Sequence, residues 1–166
     1  MKLRDIPRDS DVFIDANIFI YHFTGNSAEC SELLERCEKG ELGGRTSASV
    51  IAEAMHRLML AEAAAKNLAK PPHVLKKLRE QPALVCRLAD YLIAVQAIFE
   101  MGIRVCPLTP ELLLKSQAVR ARYGLMVNDS LISATMDELG VEALATNDDA
   151  FSRIDWITAY KPQDLP

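Results

Sequence analysis

Apolar residues recur along this chain in two rhythms that alternate. Val12-Phe13-Ile14 reads as a strand over 11–15, and its lack of polar alternation suits burial on both faces. Further short strands are read at Arg45-Thr46-Ser47, over 103–106, over 141–145 and over 156–159. Between them the spacing lengthens to that of helices. One starts in Ala16-Asn17-Ile18-Phe19-Ile20-Tyr21, and another, over 28–38, stacks Cys30, Leu33, Leu34 and Cys37 on one stripe before stopping at Gly40. A third, over about 49–67, turns Val50, Ile51, Ala54 and Leu58 inward, with Glu53 in its first turn or two. Pro71-Pro72 interrupts the pattern and opens a basic connection. Beyond Pro82 the series Leu84, Val85, Leu88, Leu92, Val95 and Ile98 predicts one long amphipathic helix ending at Gly102. Helices over 111–123 and 128–139 close at Gly124 and Gly140.

Strands that alternate with helices argue for an α/β sandwich, since parallel neighbours need crossover connections. The expected fold is an α/β/α sandwich around a mainly parallel sheet of about four to five strands. In such sheets ligands bind beyond the carboxyl ends of the strands. Asp15, Glu53, Asp129 and Asp148 each fall in the segment that follows, or lies just past, an expected strand end. Gathered at one edge, four carboxylates repel, and a divalent cation relieves that repulsion.

At 166 residues the chain suits one core, so a single domain over 1–166 is expected. Hydrophobic residues at 49% and charged residues at 25% argue against a disordered or repeat chain. No apolar run nears the roughly 20 residues of a membrane span, and MKLRDIPRDSD lacks a signal core, so a cytoplasmic location without membrane contact is expected. The net charge of −4 does not suggest broad electrostatic binding of nucleic acid, yet the stretch 57–104 is rich in Lys and Arg. A basic middle beside an acidic pocket would guide a phosphate backbone toward metal. Cys30, Cys37, Cys86 and Cys106 form no CxxC pair and read as buried thiols.

Each acid taken alone has an ordinary alternative. Asp15 could cap the helix that follows it, and Asn17 could do the same or touch a metal-bound water. Glu53 could be a solvated helix residue, although its neighbours Ile51, Ala52 and Ala54 are small or apolar. Asp129 suits a helix N-terminus whatever the function. Asp148 and Asp149 suit a strand-exit turn. Their joint occurrence carries the weight.

Taken in order, these segments resemble the PIN domain, and more closely the small prokaryotic VapC-type toxins. Phe13-Ile14-Asp15-Ala16-Asn17 is similar to the opening motif of that family, and Ser47 with Glu53 six residues on is similar to the second. Asn128-Asp129-Ser130-Leu131-Ile132-Ser133-Ala134 followed by Gly140 resembles the third, and Ala145-Thr146-Asn147-Asp148-Asp149-Ala150-Phe151 the fourth. The fourth motif commonly carries a second acid where Ala150 stands, so its role passes to Asp148, with Asp149 as a substitute.

The resemblance implies a ribonuclease dependent on Mg²⁺ or Mn²⁺, the toxin of a type II toxin-antitoxin pair. Asp15 and Asp129 would bind metal directly and Glu53 and Asp148 would complete the site, with Ser47, Asn17 and Thr146 orienting carboxylates or waters. It further implies an RNA substrate cut to 5′-phosphate and 3′-hydroxyl ends, a small antitoxin protein lying across the acidic pocket, and a homodimer formed through helices. The helix over 84–98 with Leu58, Met59 and Leu60 offers apolar surface for a partner, with core filling as the default. His22, His56 and His73 have no recognisable orienting partner and are assigned no chemistry. Arg57 could touch RNA or pair with an acid.

A haloacid-dehalogenase-type phosphatase also begins with a strand-terminal Asp, but needs a second Asp where this chain has Asn17. The stronger competitor is a PIN-like scaffold that binds RNA or protein without cutting. Such a module has no reason to retain four mutually repelling acids.

Overall fold

Val12, Phe13 and Ile14 are fully shielded from solvent, as an unbroken apolar run requires of a strand with neighbours on both sides and helices above and below. This strand, β1 (Asp11–Ile14), is the middle of a five-stranded sheet. The computed structural model describes residues 1–165. After β1 come α1 (Ala16–Phe23), α2 (Ala28–Glu38), β2 (Gly43–Ser47), α3 (Ala48–Ala65), α4 (Val74–Glu80), α5 (Pro82–Val85) and α6 (Asp90–Glu100). The chain closes with β3 (Arg104–Cys106), α7 (Pro110–Tyr123), α8 (Val127–Leu139), β4 (Ala143–Ala145) and β5 (Thr158–Tyr160).

The strand order is β3-β2-β1-β4-β5, every pairing is parallel, and helices cover both faces. The expected α/β/α sandwich is therefore observed, with five strands. From β1 the chain builds outward through β2 and β3 and then returns to lay β4 on the other flank of β1. The strand order reverses there, which opens a crevice at the carboxyl ends. Asp15 follows the last residue of β1, and Thr146 follows the last residue of β4.

Most elements lie within one or two residues of their expected bounds. β2 begins earlier, at Gly43, because Gly43 and Gly44 pair with Asp11 and Val12 of β1. A Cβ on Gly44 would stand 2.9 Å from Ile103 Cγ1 and 3.2 Å from Cys37 Sγ, so only glycine lets α2 and the approach to β3 close in on the strand. Gly140, at φ 66°, ends α8 in the left-handed conformation expected of a glycine stop.

The stretch after α3 departs from expectation. In place of a basic connection followed by one helix over 84–98, the chain forms α4, the single turn α5, and then α6. The break over 86–89 is fixed by Glu62 of α3, whose carboxylate accepts the N–H groups of Ala89 and Tyr91, both at 3.0 Å, and so caps α6 from a distance. Burial works against the charge of Glu62. The Lys66 bond at 2.6 Å and the Tyr91, Ala89 and Asp90 amides outweigh it and bring the pKa down to about 2. Cys86 falls in this break and is exposed, whereas Cys30, Cys37 and Cys106 are buried as expected.

Ala63, Ala69, Val74, Leu78 and Leu88 make a small second core, with Met59 and Leu60 against it. Part of the apolar surface that could have served a partner is thus covered by α4 and α5, the core filling taken as the default. Leu92, Ile93 and Phe99 of α6 remain exposed. Among the described residues no helix is long and apolar enough to cross a membrane.

Candidate active site

Three helices each present one ridge to the crevice, and spacing along the helix selects the residues. Asn17 and Tyr21 of α1, Glu53 and Arg57 of α3, and Asp129 and Ile132 of α8 stand three or four apart and so share a face. With Asp15 and the loop Asn147, Asp148 and Asp149 they line a cavity of about 410 Å³. Asp15, Glu53, Asp129 and Asp148, distant in sequence, therefore meet in one hollow.

Asp15 is 7% exposed and densely held. Its Oδ1 accepts the Ala16 N–H at 2.6 Å, and its Oδ2 accepts the Thr146 hydroxyl at 2.7 Å and the Asn17 amide at 2.5 Å. Capping of α1 and membership of the site are the same fact here, because the position that caps the helix is also the end of the central strand. Burial pushes the Asp15 pKa up to about 6, against the bonds from Thr146 and Ala16, and the charges of Glu53 and Asp129 push the same way.

Asp129 lies in the first turn of α8 and is half-buried. Burial raises its pKa, and the negative charges of Asp148 and Glu53 raise it further. Glu53 accepts the Asn128 amide at 3.3 Å. Asp148 caps a short 3-10 helix by accepting the Ala150 N–H at 2.8 Å.

Thr146 ties the loop to β1. Its hydroxyl donates to Asp15 while accepting from Asn17 at 3.2 Å and from the Asp148 N–H at 3.0 Å. Asn17 in turn accepts the Asn147 N–H at 3.1 Å through Oδ1. Asp149 faces the cavity but carries an ion pair with Lys161, so its charge is already matched. Ser47 does not line the cavity. Its hydroxyl caps α3 at Val50 N, 3.3 Å away, and bonds Ser49 at 2.9 Å.

Asn128 and Tyr21 also belong to the site, although the sequence marks neither as a functional residue. Asn128 opens the third motif, but its bond to Glu53 joins residues 75 apart, so its role is not legible locally. Tyr21, whose hydroxyl accepts the Asn147 amide at 3.3 Å, is four residues past Asn17, and that spacing was its visible clue.

The groups on the cavity wall able to ligate a metal offer oxygen: the carboxylates, the Asn17 and Asn147 amides and the Tyr21 hydroxyl, while Thr146 lies buried behind them. Among the described residues none of Asp15, Glu53, Asp129 and Asp148 enters an ion pair, and two of them are pushed toward the protonated form. Unmatched hard ligands of this kind fit Mg²⁺ or Mn²⁺. Nor do three carboxylate, imidazole or thiol groups among the described residues close on one point as a complete cage. An open arrangement suits a cation that keeps several waters and reserves positions for phosphate.

The PIN domain model matches residues 12–157. A ribonuclease VapC2 of Methanocaldococcus jannaschii is 27% identical over 151 residues, which cover 90% of this chain and 92% of that protein. Among solved structures, Mycobacterium tuberculosis VapC20, described as a sarcin-ricin loop cleaving toxin, aligns with TM-score 0.59 at 16% identity, over 88% of this chain and 96% of its own. VapBC2 of Rickettsia felis, bound to a DNA fragment from its promoter, aligns with TM-score 0.56 at 16% identity, over 92% and 99%. A toxin-antitoxin complex of Klebsiella pneumoniae aligns with TM-score 0.52 at 19% identity, over 89% and 95%. At these identities the solved structures support the shared fold.

Proposed function

The chain belongs to the PIN-domain family, and on that premise we propose that it is a metal-dependent endoribonuclease, the toxin of a type II toxin-antitoxin pair. The observation that carries the reading is the meeting of four carboxylates from separate segments in one cavity, with no cation among the described residues paired to any of them. Asp15 and Asp129 are the proposed direct metal ligands, and Glu53 and Asp148 complete the site. The bound cation would supply Lewis-acid polarisation of the phosphoryl oxygen and a nucleophilic water at neutral pH.

The residues around it do the positioning. Thr146, Asn17 and the Ala16 amide leave Asp15 little rotational freedom, so its carboxylate is aimed before any ligand arrives. Asn128 holds Glu53 against the cavity wall. Thr146 also fixes the Asp148 backbone, which joins the metal-facing loop to the strand carrying Asp15. Water attacks phosphorus in line as the 3′-oxygen leaves, which yields a 5′-phosphate and a 3′-hydroxyl. The proposed setting is a cytoplasmic protein of one PIN-like domain, active as a homodimer and neutralised by a small antitoxin. The toxin-antitoxin complexes among its structural neighbours support the antitoxin partner.

The decisive experiment is incubation of the purified protein with RNA in Mg²⁺, in Mn²⁺ and in EDTA, followed by end mapping. Cleavage only with metal, leaving 5′-phosphates, is the expected result. Metal binding without cleavage across a broad RNA panel would replace the enzyme by a binding scaffold.

A further inference from the structure

Arg57 follows Glu53 by four residues on α3, the helical arrangement in which an acid and a base most readily close an ion pair. Elsewhere along the helices, a Lys or Arg so placed after a Glu always finds a partner. Lys39 holds Glu35 at 2.8 Å and Lys66 holds Glu62 at 2.6 Å. Where the preceding Glu is not taken, another acid is: Arg36 reaches Glu41 at 3.8 Å, and Lys115 reaches Asp137 at 2.8 Å.

Arg57 takes none. Among the described residues it enters no ion pair and no side-chain hydrogen bond, although its side chain lines the same cavity as Asp15, Glu53, Asp129, Asp148 and Asp149. Glu53 is engaged by Asn128 instead. A guanidinium with its N–H donors open toward a hollow is the group that recognises phosphate bidentately. A polyanion entering this hollow meets the exposed, unpaired charge of Asp148, and a positive side chain at the same hollow offsets it.

We propose that Arg57 binds a backbone phosphate of the RNA at the acidic cavity, the positive contact that admits a polyanion to this site. The proposal rests on the ribonuclease reading for the identity of its ligand. The alternative is that Arg57 only dilutes the repulsion among the acids, and the two roles separate by experiment. A fluorescein-labelled single-stranded RNA is titrated against the Asp129→Asn protein with and without Arg57→Gln, across a series of monovalent salt concentrations. Loss of the contact weakens binding about tenfold and lowers the slope of log affinity on log salt by about 0.7, the value for one phosphate on a single strand. Arg57→Lys should keep most of the slope.

In the otherwise unaltered enzyme Arg57→Gln is expected to raise KM about tenfold with kcat changed less than threefold. If affinity and slope stay the same, the contact does not exist. If only the melting temperature in EDTA moves, Arg57 is a diluent of the acids. Should the unaltered protein fail to cut RNA, the ribonuclease reading falls, while the titration still decides whether Arg57 holds RNA.

Discussion

The Thr146 hydroxyl donates to Asp15 Oδ2 at 2.7 Å across 131 residues of sequence, and this bond joins the carboxyl ends of β1 and β4. The crevice where strand order reverses is thereby held shut at its base and open above. What stands above it is the carboxylate cluster, and most of the testable consequences follow from how those charges are balanced.

Replacing Asp15 or Asp129 with Asn removes a proposed metal ligand and one repelling charge together. RNA cleavage should fall at least about a thousandfold for either change, while the melting temperature in EDTA holds or rises. Substantial residual cleavage by Asp15→Asn would remove that residue from the chemistry.

The charge cluster also sets a pH dependence. The folded pKa of Asp15, about 6, exceeds its ordinary value of 3.8, so between those two the native state holds a proton that the unfolded chain has released. Stability of the metal-free protein should therefore fall as pH rises through that window, by roughly 3 kcal/mol in all from this group. Asp129 adds to the effect in the same direction. Thermal melts in EDTA from about pH 7 down to about pH 5 should show a rising midpoint in the unaltered protein and a flatter response in Asp15→Asn.

Millimolar Mn²⁺ at neutral pH should raise the melting temperature by several degrees, and EDTA should reverse it, because the ion binds the folded state alone. The shift should shrink in Asp129→Asn. An identical shift in that variant would mean that the ion sits elsewhere.

Asn128 orients Glu53 through a single amide contact at 3.3 Å. Asn128→Ala should cost about ten- to a hundredfold in cleavage rate, the range seen when support to a metal site is removed. Glu53→Gln combined with it should cost little beyond Glu53→Gln alone. Additive losses would show that Asn128 acts independently of Glu53.

Glu62 lies outside the site and predicts a change in stability without a change in chemistry. Its side chain is 6% exposed and holds Lys66 and the amides of Ala89 and Tyr91. Glu62→Ala should destabilise the protein by about 1 kcal/mol in chemical denaturation, because it removes the side-chain cap of α6 together with the bond to Lys66. Rates measured well below the melting temperature should be unchanged.

What was legible in the sequence was local. The apolar run before Asp15 announced a buried strand ending in a carboxylate, and Gly140 announced the end of α8, because each depends on neighbours within a few residues. The long helix over 84–98 failed for the opposite reason. The apolar spacing of Leu84, Leu88 and Leu92 runs on unbroken with no Gly or Pro, while the break is made by Glu62, more than twenty residues earlier. Ser47 was placed in the right segment, but its hydroxyl turned to the task of capping α3. Asp149 stands in the sequence as a substitute for Asp148, and the approach of Lys161, which occupies its carboxylate, has no local mark.

α3 carries Glu53 near its start and Glu62 near its end, about 14 Å apart at 1.5 Å of rise per residue. One rigid rod thus serves two neighbourhoods, the reaction centre and the α4–α5 flap with its own miniature core. A change in that flap therefore meets the staple at Glu62 first, at the far end of the rod from the carboxylates.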